Sequence, residues 1–258
     1  MMWTAWETAL SVLGGTVLIL LVVDRIAQRI GRPPGMLFNA LLVWAMFLTV
    51  LAHMGYTLGW TRALLFLAVT SIVPTAMEWV GTRWGIIFGR YRYTEKAGPT
   101  ALPGIPWLIV VMWPVIIYPC LIAAHVVMHL VGLPYDAAAL LLTALFATLI
   151  DLVLDPVAVH DGLWQWEKGG KWYGVPRSNF EGWFLTVLLT VYLLFKIGVS
   201  FDPPSEQISA FVFLPVFFAA VLTAYFIPAV FNRGMKKLAW ISAGSALLFA
   251  GLYGATLM

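Results

Sequence analysis

The chain has 258 residues, 62% of them hydrophobic and only 10% charged, with a mean hydropathy of +0.91 and a formal net charge of +3. A water-soluble domain carries about 25% charged residues, so the composition excludes one. The single Cys120 excludes an internal disulfide and a cysteine-rich metal site.

Apolar runs of about 20 residues, enough to cross a bilayer core of about 30 Å, recur along the whole length. They predict eight helices, near 7–27, 35–54, 62–80, 105–130, 137–155, 182–199, 208–230 and 236–257. A helix satisfies its own backbone in lipid, and the runs lack the alternation of a β-barrel strand. The expected fold is therefore an all-α, multi-pass membrane bundle. No basic residue precedes the first helix and no small-residue cleavage site follows it, so it reads as a retained helix. No linker or low-complexity stretch divides the chain, and residues 1–258 read as one integral-membrane domain. Basic residues follow helices one (Arg25, Arg29, Arg32), three (Arg83, Arg90, Arg92, Lys96), five (Lys168, Lys171, Arg177) and seven (Arg233, Lys236, Lys237). Only Arg62 and Lys196 fall on the opposite side. This bias places the odd-to-even connections in the cytoplasm and both termini outside the cell membrane. Topology thus accounts for the positive charge, and no nucleic-acid partner is needed.

Two connections are long, 81–104 and 156–181, and long loops in compact proteins are often functional. They resemble each other. Glu78 is followed 13 residues later by Tyr91 and then Tyr93, and Asp151 is followed 13 residues later by Trp164 and then Trp166. A Gly-apolar-Pro step comes next in each, Gly104-Ile105-Pro106 and Gly174-Val175-Pro176. The pattern suggests a parallel repeat of helices three–four and five–six about an axis along the membrane normal.

Four acids belong to the loop side: Glu78 at the end of helix three, Asp151 and Asp155 at the end of helix five, and Glu181 at the start of helix six. Asp151 and Asp155 are four apart and share a helix face. One reading makes them interfacial caps or partners of Arg83, Arg90 and Arg177, with the nearby Trp and Tyr residues as a membrane belt. The other reading is chemical. An acid in apolar surroundings keeps its proton, an aromatic face steadies a cation, and together they can protonate an alkene whose cation water then captures. In that reading Asp151, the deeper residue, is the first choice as proton donor. Asp155, beside Pro156, orients the water, and Glu78 can exchange roles with Asp151. Tyr91, Tyr93, Trp164 and Trp166 shield the cation, Asn179 hydrogen-bonds the water or a carboxylate, and Arg90 and Arg177 steady the acids.

These residues carry a resemblance. Glu78-Trp79-Val80-Gly81, Gly89-Arg90-Tyr91-Arg92-Tyr93 and Pro103-Gly104-Ile105-Pro106-Trp107 resemble the first signature of the carotenoid-biosynthesis membrane hydratases. The second is similar to Asp151-Leu152-Val153-Leu154-Asp155-Pro156, Gly162-Leu163-Trp164-Gln165-Trp166, Tyr173-Gly174-Val175-Pro176 and Asn179-Phe180-Glu181-Gly182-Trp183. The resemblance spans about 65–185. It implies cofactor-free addition of water to the terminal double bond of an acyclic carotenoid end group, in the membrane, beside other enzymes of that pathway. Tyr173, Glu181 and Trp183 would join the aromatic residues and Asn179 around the substrate, with Arg83, Arg90 and Arg177 in support and no metal. Related cyclases protonating the same end remain an alternative.

Other classes fit less. Asp151-x-x-x-Asp155 has the spacing of a diphosphate–Mg²⁺ motif, but membrane prenyltransferases present two such clusters. His125 and His129, four apart, with His53 near the same side, are too few for a membrane di-iron oxygenase. A transporter would also suit intramembrane carboxylates and a repeat. A retinal-type receptor needs a mid-helix lysine, and Lys196 lies near a helix end. The dinucleotide fingerprint G-x-G-x-x-G is absent.

Overall fold

The computed structural model describes residues 4–32, 34–134, 137–199 and 210–257. Its helices are α1 (Ala5–Arg29), α2 (Met36–Leu58), α3 (Trp60–Trp84), α4 (Trp107–Leu130), α5 (Ala137–Asp161), α6 (Arg177–Lys196), α7 (Leu214–Asn232) and α8 (Lys236–Ala255). All eight are long and apolar enough to cross a membrane. The expected start of helix seven at 208 lies outside the described residues. A capping box opens α1, where Thr4 Oγ1 accepts from Glu7 N–H and Glu7 Oε2 accepts from Thr4 N–H. The central helix is α4, with 78% of its span buried against 28–50% for the others. Arg233, just after α7, donates to both Asp161 oxygens at 2.9 Å and ties α5 to α7.

Three features refine or add to the expected bundle. First, α3 continues to Trp84, α5 to Asp161 and α6 begins at Arg177. The second long connection is therefore shorter than expected, and Glu181 lies inside α6. Pro156 does not end α5. Proline removes the bond to the carbonyl four residues back, here Leu152 O. The Trp172 indole Nε1–H donates to that carbonyl at 3.0 Å and supplies what the ring took away.

Second, the connections contain short strands that helix periodicity does not reveal. β1 (Tyr91–Tyr93) pairs antiparallel with β4 (Trp164–Trp166), setting Tyr91 opposite Trp166, Arg92 opposite Gln165 and Tyr93 opposite Trp164. The same register continues in Thr94 N–H to Leu163 O and Glu167 N–H to Arg90 O. β2 (Thr100–Leu102) and β3 (Ile105–Pro106) form a hairpin. Its counterpart is the pair of bridges Gly170–Gly174 and Trp172–Val175. Corresponding segments of the two repeat units thus pair with each other about Arg92 and Gln165, as a twofold relation requires. Pro106 and Pro176 stand as N-caps of α4 and α6.

Third, a loop residue wedges the bundle. The Phe88 ring is buried between Gly81 of α3 and Gly182 of α6. A Cβ at either glycine would lie 2.7 Å from that ring, and one at Gly182 would also lie 2.8 Å from Ile87 O. Ile87 takes a left-handed φ of 79°, strained for a β-branched residue and held by the buried Phe88 beside it.

Candidate active site

Three carboxyls meet where α3, α5 and α6 converge. Asp151 is 0% exposed, Asp155 3%, Glu78 5% and Asn179 2%. One turn separates Asp151 from Asp155, so both face α6, and Asn179 in the first turn of α6 reaches both. Its single Nδ2 amino group donates to Asp151 Oδ2 at 2.9 Å and to Asp155 Oδ2 at 2.5 Å. Asp151 Oδ1 is buried and has no hydrogen-bond partner among the described residues. From the loop, Tyr93 OH donates to Glu78 Oε2 at 2.9 Å. Burial, and next the Glu78 carboxyl, push the Tyr93 phenol well above its usual range, so it serves as a neutral donor. Trp164 lies against Asp155, and Trp113 against Glu78. The Trp113 Nε1–H makes no hydrogen bond of normal geometry.

The acids edge a cavity of about 360 Å³. Glu78, Asp155 and Asn179 line it, as do Tyr91, Tyr93, Trp113, Trp164, Trp166 and Trp183. Asp151 does not; it stands behind Asn179. The rings brace one another. Tyr91 packs on Trp166 with centroids 5.3 Å apart, and Tyr93 meets Trp164 edge-on at 5.6 Å. Trp113 and Trp183 lie closest, at 4.2 Å and 33°. Trp113 is one of the lining residues the sequence reading missed. The repeat carried its signal, because it follows Gly104 by nine residues just as Trp183 follows Gly174.

Other expected site residues lie elsewhere. Glu181 faces outward and pairs with Arg177 at 2.7 Å, both side chains more than half exposed. Arg83 lies on the outer surface over the Trp79 and Trp84 rings. Arg90 is exposed at the loop surface. No arginine among the described residues forms an ion pair with these buried acids. Tyr173 packs on Trp172 in the apolar cluster of Val153, Val157, Val230 and Leu238, outside the cavity. His53 Nδ1 bonds Tyr118 OH at 2.9 Å between α2 and α4, and His129 is exposed. Among the described residues, no three His, Cys, Asp or Glu side chains form a group able to hold a metal ion.

Buried acids facing a ring-walled cavity inside a helical bundle suit proton transfer to an apolar molecule. The family described as carotenoid biosynthesis protein matches residues 35–252. The chain belongs to this family. It is also similar to the bisanhydrobacterioruberin hydratase of Haloarcula japonica, at 36% identity over 140 residues, 53% of this chain and 46% of that protein. The match thus spans a little under half of that relative's length. No solved structure matches the chain. In this chain the acid cluster brings Glu78 of α3 together with Asp151 and Asp155 of α5.

Proposed function

We propose that the protein is a cofactor-free carotenoid hydratase, adding water across the terminal double bond of an acyclic end group in the cell membrane. The observation that carries this reading is the convergence of Glu78 and Asp155, held by Tyr93 and Asn179, on one aromatic-walled cavity. The name of the Haloarcula relative, a hydratase, supports it.

In this reading Asp155 donates the proton, because it lines the cavity and Asp151 does not. The proton adds to the less substituted alkene carbon and leaves a tertiary cation on the other. Tyr91, Trp164, Trp166 and the Trp113–Trp183 pair surround the cation with ring faces, each an attraction of about 0.5–2 kcal/mol. The oxygen of one water forms the new C–O bond, and Glu78 accepts the proton that this water loses. Transfer of that proton back to Asp155 closes the cycle, with one water consumed per double bond. Asp151 holds Asn179, and through it Asp155, in place. The loops, and so the acids, lie toward the cytoplasm.

Expression of this chain alone in cells that make lycopene tests the reading. A new monohydroxy or dihydroxy product, its oxygen derived from labelled water and its yield insensitive to chelator, is expected. A cyclised hydrocarbon, or no new product from normally inserted protein, would overturn it.

A further inference from the structure

Trp166 belongs to two cavities at once. It lines the acid-bearing cavity and also a hollow of about 460 Å³ at the loop surface. Arg90, Glu167 and Lys168 on that second wall are exposed, so the hollow is a wet vestibule. The ring between them is pinned, with Nε1–H donating to Phe88 O at 2.9 Å. The first turn of α6 completes the partition. Ser178 lines the vestibule, and Asn179, the next residue, lines the inner cavity and bonds both aspartates. Gly89, at φ +79°, keeps the vestibule open beside the ring. A Cβ there would lie 3.1 Å from Ser178 Oγ and 3.5 Å from Trp166 Cδ1.

The inner side also calls for water. Asp151 Oδ1 and Trp113 Nε1 are buried without a hydrogen-bond partner among the described residues, and buried polar atoms of this kind are ordinarily bonded to ordered water. The cavity also reaches α2 and α7, where Leu42, Val43 and Phe226 line it beside Asn39.

We propose that the vestibule is the water inlet of the site. Water passes the edge of Trp166 from the loop side and reaches the carboxyls, while the apolar reactant fills the α2–α7 end. The proposal rests on the hydration reading, since a reaction that only rearranges a hydrocarbon cation needs water kept out. Trp166 meters access, and Ser178 and Gly89 set the width of the passage.

A cysteine at Ala158, which lines the inner cavity one turn from Asp155, reports access in a Cys120→Ala background. Membranes are treated from each face in turn with a small cationic methanethiosulfonate that does not cross lipid. Labelling is expected from the loop face only. Trp166→Ala should raise its rate about tenfold and Ser178→Trp should lower it about tenfold, each a change of about 1.4 kcal/mol in the barrier. Rates unmoved by both substitutions, or equal from the two faces, overturn the proposal. Ser178→Trp leaves the Trp166 ring in place and guards against a folding defect in Trp166→Ala. Thiol labelling does not depend on hydration, so failure of the hydratase reading shows separately, in the product assay. Where that assay is positive, Ser178→Trp should lower turnover and leave the apparent KM for the polyene unchanged. Full turnover with slowed labelling also overturns the proposal.

Discussion

Asn179 holds Asp151 and Asp155 with one amide group, so each carboxyl is fixed by a donor that carries no charge and moves no proton. That leaves the acids chemically free while their positions are set. Asp155→Asn preserves the shape and removes the proposed proton donor. Hydration should fall about 10²–10⁴-fold, with membrane levels unchanged, as measured by product formation against immunoblot. Tyr93→Phe removes only the donor to Glu78. A hydrogen bond to a charged group contributes about 1.5–3 kcal/mol, so the rate should fall about ten- to a hundredfold. Normal turnover in Tyr93→Phe would remove Glu78 from the role of base. At this scale the sequence was informative where spacing carried the meaning. Glu78, Asp155, Asn179 and the four loop aromatics all line one cavity, and the repeat spacing pointed to the loop aromatics before the fold did. It was silent where rotation about a helix decides. Asp151 is deeper than Asp155, but depth along an axis does not say which carboxyl faces the cavity, and Glu181 points outward although it lies only two residues from Asn179.

Proline misled the reading of α5, because its effect on a helix depends on what replaces the lost bond. Trp172 reaches Leu152 O from 20 residues away in sequence, and no local pattern marks that partner. The pair gives a sharp test. Trp172→Phe leaves a carbonyl without its donor and should cost about 1–3 kcal/mol, seen as a lower Tm in detergent. Adding Pro156→Ala restores a backbone N–H to the same carbonyl, so the double substitution should recover most of the loss, a non-additivity expected of residues that share one partner. Equal Tm values for Trp172→Phe and the double substitution would show that the indole bond is unimportant. The helices were legible because a run of about 20 apolar residues has few other uses. The strands were not, because three-residue pairings are fixed by the opposite loop rather than by their own periodicity.

Taken whole, the bundle places its basic residues almost all at one end, the end that also carries the acid cluster and both loops. Reporter fusions at Lys171 should therefore read cytoplasmic and fusions at the C-terminus should read external; the opposite result at either position would invert the assigned orientation. The strand pairing about Arg92 and Gln165 has a further consequence for what this architecture can evolve. Two identical hairpins meeting on a twofold axis would have to present the same side chain from both copies, so any proton donor would face its own twin. Joined in one chain, the copies are free to differ, and they do: arginine meets glutamine, tyrosines meet tryptophans, and a glutamate answers an aspartate. Covalent linkage is what allows a symmetric frame to divide its labour, with one half, in the proposed mechanism, giving a proton and the other taking it.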